Sequence, residues 1–408
     1  MASASSRRPD RPLRRRQITV CREGWYYLGV LWFIIAGALL RDINLLLVLA
    51  GMMLGPLLVN WRIIVVTLRR LDVRRQLPES VGVGDLLVVD LTASNQRRRL
   101  DSWGLIVEDR IERVVEGQPA EAVRARVLLP RVPAGGTAEA AYRGRLLSRG
   151  RYRLGPMTVS TRAPLGFLVG VAPLRRIDTL VVCPRLGRLA TRWTRIMQRH
   201  RAGSRHSQRR QGLVEGDYYG LRDWRSGDSR RWIHWRTSAR RGELAVRQFE
   251  QQRNQDLALL LDLCHGPQPS EQRLDQVELA ISFVATIVAD QCRRGSSRLL
   301  VGFTGGKPEW IRGTGSMVLL QEVMHKLAAA QSHTHDQLPQ LLHQGLAQIP
   351  AGTSTLIVST RPTDLADSRR FAEVWSDPRK RALVGRIACV DASARDFAQW
   401  FQIDPLAR

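Results

Sequence analysis

The densest collection of side chains able to do polar chemistry runs from Glu215 to Glu250, EGDYYGLRDWRSGDSRRWIHWRTSARRGELAVRQFE. Eight arginines (Arg222, Arg225, Arg230, Arg231, Arg236, Arg240, Arg241, Arg247) alternate there with Glu215, Asp217, Asp223, Asp228, Glu243 and Glu250. A planar guanidinium holds a carboxylate or phosphate through two parallel N–H bonds, so such a run builds an ion-pair scaffold or a site for an acidic ligand. The near balance of signs favours the scaffold and argues against nucleic acid, which is better met by an unopposed basic face. Locally, Ser226-Gly227-Asp228 reads as a turn, with Asp228 placed to cap a helix starting at Ser229. Trp232, Trp235 and Ala239 then share one face. Arg240 and Arg241 sit in a last turn suited to cations, Gly242 is a ready stop, and Leu244, Val246 and Phe249 read as a following strand.

Other candidates carry less. Gly302-Phe303-Thr304-Gly305-Gly306-Lys307 lacks the spacing of a phosphate loop. His333-Thr334-His335 has the donors for a transition metal but reads as a solvated loop. No serine or cysteine lies beside a histidine and an acid in a recognisable triad. No catalytic residue is therefore assigned, and no enzyme activity is expected. Five scattered cysteines (Cys21, Cys183, Cys264, Cys292, Cys389) form no Cys-x-x-Cys pair, which argues against a disulfide framework and for a reducing compartment.

The elements around this cluster are legible in outline. From Asp256 the pattern alternates strand and helix. Leu257–Leu263 is a continuous apolar run suited to a buried parallel strand, and Leu274, Val277, Ile281, Val284 and Val288 mark a helix face. A strand at Leu299–Phe303, helices near Ser316–Ala329 and Asp336–Ile349, a strand at Thr355–Val358, a helix around Ser368–Trp375 and a strand at Arg386–Val390 follow. That order predicts a doubly wound α/β sheet, with ligands at the carboxyl ends of its strands.

Between about Leu71 and Cys183 the runs are short and alternating, as at Trp103–Glu108 and Val123–Leu128, with turn-formers such as Gly82-Val83-Gly84 and Pro133-Ala134-Gly135-Gly136 between them. This predicts an antiparallel β-sandwich serving as spacer or docking module. Thr191–Gln211 holds seven arginines and no acid, the composition of a solvated linker within reach of anionic lipid. The whole chain of 408 residues carries a formal charge of +26, almost entirely from arginine, since lysine occurs only at 307, 326 and 380. So uniform a bias points to composition and membrane-surface attraction before nucleic-acid recognition.

Two apolar runs precede all of this. WYYLGVLWFIIAGALL spans Trp25–Leu40, and after Arg41-Asp42-Ile43-Asn44 a second run, LLLVLAGMMLGPLLV, reaches Val59. Their lengths and the short turn predict a transmembrane helical hairpin, with Trp25, Tyr26, Tyr27 and Trp61 at one interface. Arginines flank the hairpin on both outer sides (Arg7 to Arg16, then Arg62 to Arg75), so the positive-inside rule puts both termini in the cytoplasm. A cleaved signal peptide fits poorly, given the second run and no small-residue cleavage site.

The string GDYYGLRDWRSGDSRRWIHWRTSARRGEL resembles the signature of the domain of unknown function 58 family, bacterial membrane proteins found beside MoxR-type AAA+ ATPases. RGRYRLGPMTVSTRAPLGFL (149–168) and LPESVGVGDLLVVDLTASN (77–95) are similar to that family as well. The motif residues are Gly216, Asp217, Tyr218, Leu221, Arg222, Gly227, Asp228, Arg231, Trp235, Arg236, Ala239, Arg240 and Leu244, as partner-binding or structural positions. The resemblance implies a MoxR-type ATPase partner and a von Willebrand factor A-like C-terminal domain. Such a domain holds magnesium through Asp-x-Ser-x-Ser plus a later threonine and aspartate. Here Asp262 matches, Cys264 and Gly266 replace the serines, and Thr334 and Asp364 stand for the remaining ligands, leaving at best a weak, hydrated ion.

The expected organisation is a basic cytoplasmic tail (1–22), the hairpin (23–66), the sandwich (67–185), a basic linker with the signature motif (186–252) and the α/β domain (253–408). The expected role is a non-enzymatic, inner-membrane adaptor or assembly factor without cofactor. An anionic-lipid or nucleic-acid binder and a metal-dependent protein-binding module are the alternatives.

Overall fold

The structure is a computed structural model that describes residues 17–115, 122–193, 195, 217–226, 228–250, 256–267, 270–295, 297–305, 307–350 and 353–403. Gly216, Gly227, the tail through residue 16 and most of the basic run 191–211 lie outside the described residues. The chain divides into two compact units, with the boundary between Pro184 and Arg185.

The first unit begins with strand β1 (Gln17–Val20), inside the stretch assigned to the basic tail. Ile18, Thr19 and Val20 are β-branched, which suits a pleated edge better than a solvated tail. One residue, Cys21, separates β1 from helix α1 (Arg22–Arg41). A tight turn with Asp42 in the left-handed region leads into α2 (Asn44–Arg69), three residues longer than the hairpin bounds read from composition. Both helices are long and apolar enough to cross a membrane, and most of their apolar side chains are exposed. Pro56 removes the N–H that would bond the Met52 carbonyl, and beside it the Met53 carbonyl accepts the Tyr27 hydroxyl at 2.6 Å.

One residue, Arg70, separates α2 from the sandwich strands: β2 (Leu71–Gln76), β3 (Ser80–Gly82), β4 (Leu86–Asn95), β5 (Ser102–Val114), β6 (Ala122–Val132), β7 (Thr137–Arg145), β8 (Gly150–Leu154), β9 (Met157–Thr161), β10 (Leu168–Leu174) and β11 (Asp178–Cys183). They form a three-stranded sheet, β2-β4-β7, and a larger one ordered β1-β10-β9-β5-β8-β11-β3, with β6 added to β5. Pairing is antiparallel except for β3 on β11, which is parallel. A wholly antiparallel sandwich is thus corrected at one edge. β3 and β11 are 98 residues apart by their first residues and meet across the fold, where no hairpin dictates their direction. Val73, Leu87, Val89 and Leu91 of the small sheet pack against Leu105, Val107, Leu154 and Leu180 of the large one. The last turns of α2 join this core through Ile64 and Leu68, against which a side chain at Gly170 would collide.

A polar crosslink pierces the sandwich. Arg75 of β2, its side chain fully buried, reaches across to the other sheet. Its Nη1 bonds both Asp109 oxygens at 2.6 and 2.7 Å, and its Nη2 bonds Asp178 at 2.6 Å and the Leu154 carbonyl at 2.9 Å. Tyr142 of β7 donates to Asp109 at 2.7 Å, and burial followed by that carboxylate raises its phenol well above the ordinary value.

The second unit opens with β12 (Arg188–Leu189) and continues with β13 (Asp217–Asp223), α3 (Trp235–Arg241), β14 (Ala245–Glu250), β15 (Leu257–Leu261), α4 (Glu271–Arg294), β16 (Arg298–Phe303), β17 (Glu309–Thr314), α5 (Met317–Ala329), α6 (Leu338–Gln348), β18 (Ser354–Ser359), α7 (Ala372–Trp375), α8 (Pro378–Val384), β19 (Ile387–Asp391) and β20 (Phe401–Gln402). Its central sheet runs β17-β16-β15-β18-β19, parallel apart from β17. Leu257, Leu259 and Leu261 face α4 and α5, whereas Leu260 faces α6 to α8, so helices cover both faces. β17 was not evident in the sequence because Trp310 and Gly313 interrupt its alternation. The helix expected over Ser368–Trp375 is confined to one turn, since Asp367 accepts from the Arg369 and Arg370 amides in a capping turn just before it.

Replacing Arg75 by leucine removes one partner of a buried ion pair and strands Asp109 among apolar side chains. A loss of about 3 kcal/mol, on the order of a hundredfold in the opening equilibrium, is expected. Alkylation of the buried Cys183 in the full chain in detergent reads this; labelling that is no faster than in wild type would contradict the crosslink's role.

Candidate functional site

The signature stretch folds as a hairpin of β13 and β14 carrying a loop and α3 between them, with a register shift at Tyr218/Gly220. Asp228 does not cap a helix. Its carboxylate receives the Arg222 fork, Nη1 at 2.6 Å and Nη2 at 2.7 Å, and the Arg225 amide at 2.9 Å. Those bonds, Arg222 first, hold it well below the usual carboxylate range, at about 2. The expected helix from Ser229 is also corrected: Ser229 caps only a 3-10 turn at Arg230–Trp232. Ile233 then bridges to Val246, and His234 caps α3, its Nδ1 accepting from the Thr237 amide at 3.2 Å. The β-bridge drains the chain away from helical geometry at Ile233, which local propensity could not show. Arg240 and Arg241 do close α3, and Gly242 ends it at φ 74°.

Burial separates the motif residues into two sets. Ser238 is the buried residue of α3, bonding the Ala245 amide at 2.9 Å, and Leu221 and Arg222 are half-buried. Trp235 and Ala239, expected to share a face with Trp232, are exposed, Trp235 by 66%, while Trp232 is half-buried in the 3-10 turn before α3. Arg231, Arg236, Arg240, Trp224 and Leu244 are exposed with them. Arg222 and Asp228 therefore hold the module together, while Trp235, Arg236 and their neighbours are displayed. Asp217 and Tyr218 lie in β13.

The second candidate lies at the carboxyl ends of β15 and β18. Asp262 is completely buried and accepts from the Cys264 amide at 3.2 Å and the Ser359 hydroxyl at 3.4 Å. Its charge is met by Arg361, whose Nε lies 3.4 Å away. Arg361 also pairs with Asp336, and Arg370 Nε bonds Asp336 at 2.7 Å. Burial raises the Asp262 carboxyl above its ordinary value despite Arg361. Asp336 is shifted the other way: burial opposes ionisation there, but the Arg370 hydrogen bond and the two guanidinium charges outweigh it.

Of the three residues assigned to magnesium, Asp262 alone is buried. Thr334 is exposed and offers its carbonyl to the Cys264 thiol at 3.6 Å, and exposed Asp364 accepts from the Ala366 amide at 2.9 Å. Among the described residues no group of three acids, histidines or cysteines could hold a metal ion. With a guanidinium against Asp262, the donor set suits an internal ion pair better than a hard cation, which needs several oxygens. Arg361, Asp336 and Arg370 escaped sequence reading. The available signal was that Arg361 follows closely on the strand expected at Thr355–Val358, at the kind of carboxyl end where ligand sites of such a sheet lie. A polar cleft of about 240 Å³ opens beside Arg361, bounded also by Ser270, Arg273, Gln276, Thr360 and Ser393.

With this geometry in view, the family described as "Protein of unknown function DUF58" matches residues 220–355, from the signature hairpin into β18. YeaD of Bacillus subtilis (strain 168), an uncharacterized protein, is 26% identical over 237 residues, or 56% of this chain and 55% of its own length. The chain thus spans about half the length of that curated relative. Among solved structures, the Pseudomonas fluorescens alkylpurine DNA glycosylase AlkC is 14% identical over 28% of this chain and 31% of its own, with a TM-score of 0.20. The CARDB domain of a Pyrococcus furiosus protein is 14% identical over 28% of this chain and 86% of its own, with a TM-score of 0.18. Scores this low carry no argument.

Two outcomes follow from the geometry. Because the folded pKa of Asp228 is depressed, its contribution is complete above the ordinary carboxylate value near pH 4 and fades as pH falls towards 2. Hydrogen–deuterium exchange in the peptide containing Arg225 should lose protection over that window, and Asp228→Asn should lack the transition. Arg361→Ala, by leaving Asp262 buried without its cation, is expected to destabilise the second unit by about 2–3 kcal/mol. Adding Asp262→Asn should restore part of the loss in a thermal melt of the full chain; no recovery would mean the two side chains are not coupled.

Proposed function

We propose that this protein is a non-enzymatic membrane-anchored adaptor or assembly factor that works with a MoxR-type AAA+ ATPase. The second unit serves as a von Willebrand factor A-like docking domain, doubly wound around its five-stranded sheet. Both soluble units and both termini lie in the cytoplasm of a bacterium, because arginine crowds both outer flanks of the hairpin and only Arg41 lies in its turn.

The observation that carries this reading is the division of labour in the signature hairpin. Arg222 and Asp228 satisfy each other, so Trp235, Arg236 and Leu244 are not needed to hold the module and are left on its surface. Tryptophan and arginine are the residues that dominate protein–protein contacts. Trp235, Arg236 and Leu244 fall within residues 220–355, the stretch that the family matches, which supports this reading. The internal Asp262–Arg361 pair supports docking that does not depend on a metal ion.

Crosslinked pull-down of the detergent-solubilised full chain, read by mass spectrometry, tests this. Wild type should recover a MoxR-type ATPase, and the surface variant Trp235→Ala with Arg236→Glu should lose it while keeping the wild-type melting temperature. Recovery undiminished in that variant would move the contact elsewhere; no ATPase with wild type would refute the adaptor role.

A further inference from the structure

The loop between β9 and β10, residues 162–167, grips both helices of the hairpin. The Phe167 carbonyl accepts the Cys21 amide at 2.9 Å and lies against Gly24, where any Cβ would collide with it. The Phe167 ring stacks on Tyr27 of α1, with centroids 4.4 Å apart. On the other side, the Leu165 amide donates to Oδ1 of Asn60 at 3.4 Å, and Asn60 is wholly buried in α2. The sandwich therefore reaches up the hairpin as far as Tyr27 and Asn60.

Beyond that clasp little helix is left. On α1 the uncharged stretch still free is Leu28–Leu40, and on α2 it is Leu45–Val59. At 1.5 Å per residue these reach about 20 and 22 Å. The hydrocarbon core of a bilayer is about 30 Å thick, and any tilt of the helices shortens their reach further. The free hairpin falls short by about 8–10 Å. What lies at the missing depth is apolar and exposed: Trp25 and Tyr26 on α1, Trp61 on α2, and Leu165, itself 46% exposed at the loop's tip beside Pro164. Just outside this ring are Arg62 and Arg162, both exposed and without an ion-pair partner among the described residues. Aromatic and aliphatic side chains backed by guanidinium groups match the acyl boundary and the phosphate layer above it.

We infer that the 162–167 loop is a membrane-inserting element: Leu165 and Pro164 enter the acyl–headgroup boundary beside Trp25 and Trp61, and Arg62 and Arg162 engage lipid phosphates. The inference rests on the membrane-anchored reading above and adds that the sandwich itself is partly immersed. Its occupant is a phospholipid bilayer surface, because the loop is continuous with two helices whose apolar sides are already exposed.

Spin labels placed singly at Leu165→Cys, Leu49→Cys and Leu147→Cys test it, in full-length protein in phosphatidylethanolamine–phosphatidylglycerol vesicles. Cys389→Ser serves as background, since the other four cysteines are buried. Leu49 lies in the hairpin, and Leu147 is exposed just past the end of β7 opposite to the Ser94–Thr137 pairing near α2. Collision with oxygen against a water-soluble nickel chelate gives the depth of each. The expected result is position 49 deep, position 165 at the acyl boundary and position 147 in water. Position 49 deep with 165 as chelate-accessible as 147 would overturn the inserted loop and leave the anchor standing. Position 49 in water would overturn both.

Discussion

One buried guanidinium ties the first unit together. Arg75 projects from the three-stranded sheet and is met by groups on three strands of the opposite one, through Asp109, Asp178 and the Leu154 carbonyl. Hydrophobic side chains on two facing sheets tolerate sliding, because contact between apolar surfaces has no direction. A forked donor with three acceptors does not, since any shift leaves a charge stranded in a medium that cannot solvate it. The register of one sheet against the other is therefore set by a polar contact, and β2, which carries Arg75, is the strand that continues α2.

The second unit applies the same rule at two places. Asp262 is completely buried because Arg361 lies against it, and Arg361 is steadied by Asp336, itself held by Arg370. In the signature hairpin Arg222 closes on Asp228. In each case an arginine is consumed by an acid within the same unit, so the large positive charge of the chain overstates what is free to meet a partner. Among the described arginines still on display are two that sit next to exposed aromatic residues in the sequence, Arg236 after Trp235 on α3 and Arg62 after Trp61 on α2.

What could be read from residues alone followed their periodicity. The hairpin was visible because a membrane-length apolar run has few competing explanations, and the alternating strands and helices after Asp256 because leucine and valine recur at fixed intervals. β1 was hidden beside an arginine-rich tail, and the parallel partner of β11 was hidden because pairing over such a distance leaves no mark in local sequence. The signature motif was located correctly but misread inside: Asp228 has the chemistry of a helix cap, and only the fold brings Arg222 close enough to claim it. Asp262 stands out in the sequence as the match to a magnesium motif, but its partner Arg361 is 99 residues away and belongs to another strand's exit.

Cys21 alone separates β1 from α1, and Arg70 alone separates α2 from β2. Two single-residue junctions, with β1 hydrogen-bonded to β10 and the inner end of α2 packed on it, leave no swivel between the hairpin and the sandwich. A rod and its handle then turn together. In the membrane-anchored reading proposed above, a thinner or thicker bilayer that changed the tilt of the helices would rotate the strands by the same angle, and the arginine crosslink would carry that torque from one sheet to the other. The sandwich would then act as a pointer whose heading is set by the lipid around its base.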